Sequence, residues 1–175
     1  LEHFNISVRI ICDRGVSHEI VRHRLASYSQ ESTRYCNYTK GRGIQFIIPP
    51  WCEGVTPGEY KSADDLYALE TPWTKMDNRG VQSMLNAEMD YNSLISLGWK
   101  PEQARSVLPN SLKTELVMTC NLREWRHFFK LRTSPAAHPQ MRQLAVPLLA
   151  DFNAQIPVVF ADLMAENPVL KEPQP

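Results

Sequence analysis

Arg22, His23 and Arg24 stand side by side, and after seven residues Ser32 and Arg34 follow. Three guanidiniums, an imidazole and several hydroxyls thus fall within thirteen residues. A guanidinium is the side chain best matched to phosphate, because its planar fork donates two parallel charge-assisted hydrogen bonds. The chemistry open to this stretch is the grip of an anion; a solvated basic face is the other account of it. A second cationic group lies at Arg123, Arg126, His127 and Lys130, which share one face of a helix at about 100° per residue. These groups repel one another unless an anion or water covers them. Arg132 projects instead toward the side of Trp125 and Phe129, where an unpaired guanidinium is costly to bury. It either caps carbonyls and snorkels or meets a buried anion.

Charge distribution sharpens this. The chain of 175 residues has no formal net charge, yet residues 1–48 carry +3, 49–110 carry −4, 111–143 carry +4 and 144–175 carry −3. A protein that coats nucleic acid is usually basic overall. Two basic blocks in a neutral chain point instead to a confined anionic site where the blocks meet. Cys12, Cys36, Cys52 and Cys120 have neither C-x-x-C spacing nor a companion His cluster, so no metal site and no disulfide framework is expected. Four reduced thiols fit a cytoplasmic protein. No apolar run of about 18 residues and no secretory leader is present in the sequence, so a soluble, unexported chain is expected.

The elements that must position these groups read as one α/β domain of the α+β type, a mixed or antiparallel sheet flanked by helices, over residues 1–165. Phe4, Ile6, Val8, Ile10 and Cys12 alternate with polar residues, which predicts a strand. Asp13-Arg14-Gly15 reads as a turn and Ser17 as the N-cap of a short helix through Val21, with Arg22–Arg24 at its C-terminal end. Ile44 to Ile48 reads as a second short strand. Residues 51–77 form an irregular excursion with a short helix around Ala63 to Leu69. From Asn78, Val81, Met84, Leu85, Tyr91, Leu94 and Ile95 recur at helical spacing up to Gly98. Pro101 opens a short helix carrying Arg105, and Leu112 to Cys120 alternates as a strand. Asn121 caps a helix to about Leu131. His138 to Met164 is helical with a kink at Pro147 and a restart at Pro157, and 166–175 is a frayed tail.

Arg-His-Arg, seven residues and Ser, set within Leu-Ala-Ser-Tyr-Ser-Gln-Glu-Ser-Thr-Arg-Tyr, resembles the signature of the flavin-dependent thymidylate synthases. Two further stretches are similar to motifs of the same family: Ala104-Arg105 with Leu108-Pro109, and Asn121, Arg123, His127, Leu131 and Arg132. Position 127 is often Asn in that family, and position 19, here Glu, is often Gln. The family also carries a segment ahead of the Glu2-His3 pair, with a His and a small hydroxyl residue that help bind the flavin. Its absence here implies a late start or a truncated relative.

The resemblance implies reductive methylation of dUMP to dTMP, with methylene-tetrahydrofolate as carbon donor, FAD as redox cofactor and NADPH as reductant. It also implies a homotetramer with active sites between subunits. Carried over by position, Arg22, His23, Arg24 and Gln30 contact the flavin, and Asn121, Arg123 and His127 reach it from another subunit. Glu19, Arg22, Gln30, Glu31, Ser32, Thr33, Arg34 and Arg105 surround dUMP. Arg132 is the catalytic residue, holding the uracil ring and favouring its ionised imide. No cysteine nucleophile is implied. Two other readings stand beside this one. The chain could be a truncated relative that binds nucleotide without turnover. It could also be a single-stranded nucleic-acid module, with Arg22, Arg24 and Arg34 on phosphates and Tyr28, Tyr35 and Tyr38 stacking on bases.

Overall fold

The computed structural model describes residues 1–41, 43–52, 55–56, 58–62, 65, 68 and 74–167. Its residues cluster into two compact units: Leu1–Gln30 with Glu115–Pro175, and Glu31–Thr114.

The first unit begins with β1 (Asn5–Asp13), whose alternation buries Ile10 and Cys12 and half-buries Ile6 and Val8. Phe4, expected on the same face, is exposed just ahead of the strand. Helix α1 (Arg14–Ile20) follows with no intervening turn. Its N-cap is Asp13 and not Ser17: the Asp13 carboxylate accepts from Val16 N–H at 2.6 Å, while Ser17 lies inside the helix and donates back to the Arg14 carbonyl. A carboxylate at the strand end reaches orphan N–H groups four residues earlier than the serine could. Strand β2 (Ser27–Gln30) pairs antiparallel with β3 (Lys113–Asn121), Ser27 opposite Thr119 and Gln30 opposite Leu116. The order is β1-β3-β2, with Ser7 bonded to Thr119 and Arg9 to Glu115 across the β1 side. The polar four-residue strand β2 has no apolar alternation to announce it.

Asn121 caps α4 (Leu122–Arg132), its side-chain oxygen accepting from Glu124 N–H. Trp125, Phe128 and Phe129 of α4 are fully buried. They pack on α5 (Pro139–Gln155) and α6 (Pro157–Glu166), which supply Phe152 and Phe160. Pro147 lies inside α5, where it removes one helical donor, and Pro157 opens α6. Helix α6 runs to Glu166 and Asn167 is buried, so the tail expected from residue 166 does not begin there; residues 168–175 lie outside the described residues.

In the second unit the main helix is α2 (Lys75–Ser96), with Val81, Ala87 and Tyr91 buried. It starts before Asn78 because Thr74 and Asp77 form a capping box. Gly98, at φ +98°, ends it in the left-handed region that favours glycine. Short α3 (Pro101–Ala104) and a 3₁₀ turn (Arg105–Val107) follow. The strand expected at Ile44 to Ile48 is only a bridge, Phe46 opposite Leu112, flanked by backbone bonds from Ile47 to Ser111 and from Lys113 to Gln45. Pro49 and Pro50 carry no N–H to extend it. Of the helix expected at Ala63 to Leu69, only Asp65 and Ala68 are described.

Candidate functional site

The residues singled out by type and spacing divide between the units. In the first unit, α1 stops at Ile20 and the chain turns, His23 N–H bonding to the Ile20 carbonyl. The Tyr28 hydroxyl on β2 donates to the carbonyls of both Ile20 and His23, at 2.9 and 2.8 Å. Burial pushes this phenol up to about 12, so it stays a donor. The turn leaves Arg22 and Arg24 exposed and turns His23 inward, 5% exposed, against Phe128.

Arg132, on the last turn of α4, meets this turn. Its Nε donates to His23 Nε2 at 3.0 Å, one terminal nitrogen to the Glu19 carboxylate at 2.8 Å, and the other to the Glu19 carbonyl at 3.0 Å. The guanidinium thus caps a carbonyl at the end of α1 and pairs with Glu19, a carboxylate 35% exposed and so not the buried anion considered from the sequence. Three of its five N–H groups are engaged and two remain. The side chain is 18% exposed, so the fork is fixed at the rim of the fold.

His23 Nδ1 lies 3.2 Å from Glu124 Oε1, and that carboxylate is as buried as the ring. Burial holds the imidazole below its ordinary pKa; Glu124 pulls it upward, while Arg132 and His127 push it down. Glu124 went unnoticed in the sequence for a physical reason. Asn121 followed three residues later by Glu is the pattern of a helix start, and an acid in that place ordinarily faces solvent. Here it turns in to His23.

The other cationic residues differ in how they are held. Arg123 pairs with Glu2, and Arg126 forms a bidentate pair with Asp162 at 2.7 and 2.5 Å. That pair holds the Asp162 carboxyl at about 2. The stripe on α4 is thus partly neutralised by neighbouring acids. His127 is exposed, its ring centroid 5.7 Å from that of His23. Arg22 and Arg24 have no carboxylate partner among the described residues. Two exposed, unpaired guanidiniums fit the anionic part of a phosphate-bearing cofactor. His23 is 5% exposed with both ring nitrogens engaged inside the chain, so it presents no free nitrogen to such a group. Gln30 donates to the Ser17 hydroxyl at 2.9 Å, and the Asn121 oxygen is held by its capping bond.

In the second unit Ser32 to Cys36 form a turn closed by the Ser32 carbonyl, which accepts from Tyr35 and Cys36. Arg105 reaches this turn from the segment after α3, donating to the buried Thr33 hydroxyl at 3.1 Å. Arg34 is exposed on the same turn, its guanidinium 5.2 Å from the Tyr35 ring centroid. Arg34 on this turn, and Arg105 bonded to it, bring guanidiniums to a stretch rich in hydroxyls, the donor types that suit a phosphate. Glu31 accepts from the Tyr38 hydroxyl, and Tyr38 packs edge-on against Tyr91. Of the three tyrosines considered for base stacking, Tyr28 and Tyr38 are committed inside the fold, and Tyr35 is exposed.

All four cysteines are free. Burial pushes Cys12 and Cys120 up to about 12 and Cys52 to about 11, which disfavours the nucleophilic thiolate. Among the described residues no helix is long and apolar enough to cross a membrane.

Comparison with known proteins bears on these same residues. The profile of the family described as "Thymidylate synthase complementing protein" matches residues 1–158. A flavin-dependent thymidylate synthase of Mycobacterium sp. (strain KMS) is 35% identical over 167 residues, covering 93% of this chain and 63% of that protein. One from Geobacter sulfurreducens is 34% identical over 164 residues, covering 93% and 62%, and one from Mycobacterium tuberculosis is 34% identical over 169 residues, covering 93% and 63%. The chain thus spans less than two thirds of the length of these relatives. The match runs through Arg22–Arg24, the Ser32–Arg34 turn, Arg105 and the helix that ends at Arg132, and on it the chain belongs to the thymidylate synthase complementing protein family, that of the flavin-dependent thymidylate synthases.

Proposed function

We propose that the protein to which this chain belongs converts dUMP to dTMP in the cytoplasm, taking the carbon from methylene-tetrahydrofolate and the electrons from NADPH. The observation that supports it most directly is Arg132. A guanidinium held by three acceptors, with two N–H groups left without a partner among the described residues, is organised before any substrate arrives. Placed against the uracil ring, such a fixed cation lowers the pKa of the imide N–H and enriches the ring in electron density. Arg34 and Arg105, with the hydroxyls of Ser32 and Thr33, hold the nucleotide phosphate and sugar. Arg22 and Arg24 hold FAD, their forks matched to its phosphates. Asn121 and His127 approach that cofactor from a neighbouring subunit of a homotetramer. FAD, when bound, supplies the redox chemistry that no side chain of this chain can perform.

The test is direct. The intact protein is expected to bind FAD, showing the flavin absorption band, to bind dUMP, and to form dTMP when given methylene-tetrahydrofolate and NADPH. Protein that stays colourless with added FAD and ignores dUMP would end this reading.

Glu19 provides a sharper check. Its carboxylate neutralises part of the Arg132 charge, and a negative charge beside that cation repels an anionic nucleotide held there. Glu19→Gln keeps an oxygen to accept from Arg132 and removes the negative charge. The variant is expected to bind dUMP about three- to ten-fold more tightly by calorimetry, equivalent to about 0.6–1.4 kcal/mol. Unchanged or weaker binding would place Glu19 away from the nucleotide.

A further inference from the structure

We infer that Glu124 is a positioning residue for Arg132, acting through the ring of His23, an inference that rests on the proposed role of Arg132. A line of side chains runs inward from the surface: Glu19, Arg132, His23, Glu124. The protons on it can be placed by chemistry alone. Arginine Nε always carries a hydrogen and cannot accept, so His23 Nε2 must be the acceptor in its 3.0 Å contact with Arg132. A neutral imidazole has one N–H, which must then sit on Nδ1, facing the Glu124 carboxylate at 3.2 Å. Glu124 therefore selects the tautomer that leaves Nε2 open. Without an acceptor at Nδ1 the ring is free to carry its proton on Nε2, where it points at another N–H and pushes the guanidinium off its mark.

The same proton count answers a competing account. His23, Glu124 and His127 bring ligand atoms within 4.8 Å of one another, a spacing that could hold a metal ion. A metal on His23 Nδ1 would require the single ring proton to move to Nε2, against Arg132, or would require an imidazolate. Neither agrees with the observed contact.

The groups facing His23 are Glu124, His127 and Phe128 from α4, Arg132 from the end of the same helix, and Glu19 from α1 beyond it. A second ring proton would enter at Nε2 and break the bond to Arg132, so activity falls as pH drops through the His23 pKa. The Glu124 carboxylate favours the imidazolium and raises that pKa; removing its charge moves the acid limb to lower pH.

The experiment compares Glu124→Gln and Glu124→Ala with the parent as intact protein. Two readouts are used: ring ¹⁵N chemical shifts of His23 by NMR, and dUMP kinetics across pH. In the parent, His23 is expected as the Nδ1–H tautomer. Glu124→Gln, whose amide oxygen still accepts, is expected to keep that tautomer and kcat within about threefold, with its acid limb displaced to lower pH. Glu124→Ala is expected to lose the tautomer and about ten- to a hundred-fold in kcat, the scale for losing an orienting partner, with KM for dUMP within about threefold. An Nε2–H tautomer in the parent overturns the inference, as does parental kcat in Glu124→Ala. Zinc binding that depends on His23, Glu124 and His127 overturns it in favour of the metal account. A parent with the Nδ1–H tautomer that forms no dTMP overturns the enzyme reading, and with it the purpose of the line, while leaving its bonds in place.

Discussion

Arg132→Ala is expected to lower the proposed turnover of dUMP to dTMP by about 10²–10³-fold, equivalent to about 2.7–4 kcal/mol of transition-state stabilisation. The expectation follows from how the guanidinium is held. Its Nε and both terminal nitrogens are anchored to His23 and Glu19, so its remaining donors have no freedom to lose when a ring with developing negative charge comes against them. Alanine removes the charge and leaves the Glu19 carbonyl without this partner, which costs about 1–3 kcal/mol of stability and does not unfold the chain. Arg132→Lys separates charge from geometry. A lysine offers one point of charge and cannot meet His23 Nε2 and the two Glu19 oxygens with a planar fork, so it is expected to stay at least about tenfold below the parent. FAD content measured on the same samples distinguishes a damaged site from a lost catalytic group. Turnover within about threefold of the parent in Arg132→Ala would remove Arg132 from the chemistry.

What could be read beforehand follows from what each signal depends on. The alternation of β1 and β3 and the aromatic face of α4 are imposed by burial on one side, so Ile10, Leu116, Met118, Trp125 and Phe129 lie inside as their periodicity requires. Capping depends on a single hydrogen bond, and several residues near the end of β1 could supply it. The chain chose Asp13, which moves the helix start four residues earlier and places Ser17 inside the helix. The strand β2 has too few apolar residues to leave a pattern; it exists because β3 offers it an edge. Arg132 stood out because a guanidinium near an apolar face needs a partner. That the partner would be a carboxylate and a carbonyl of α1, over 100 residues away in sequence, depended on tertiary packing. Glu124 was hidden for the opposite reason: its local pattern had a sufficient explanation at the helix start, and only the fold shows the ring it faces.

The largest expected effect on stability is at Trp125. Its side chain is fully buried, stacked on Phe129 at 5.7 Å and packed against Phe128 and Phe152 at 5.5 and 5.0 Å. Its Nε1–H also donates to the Ile6 carbonyl at 3.2 Å. The indole thus ties helix α4 to the backbone of strand β1. Trp125→Ala removes both contributions and is expected to cost about 3–5 kcal/mol. Against a typical total of about 5–15 kcal/mol this is a large share. At about 2–4 °C per kcal/mol for a chain of this size, Tm falls by roughly 6–20 °C. Trp125→Phe divides the loss, because it keeps most of the ring contact and deletes the donor; it is expected to cost about 1–3 kcal/mol, chiefly from the Ile6 carbonyl. Urea unfolding followed by far-ultraviolet circular dichroism measures both variants without relying on the fluorescence of the residue removed. Equal losses in the two would assign the stabilisation to the hydrogen bond, and a near-parental Trp125→Phe would assign it to packing of the aromatic cluster.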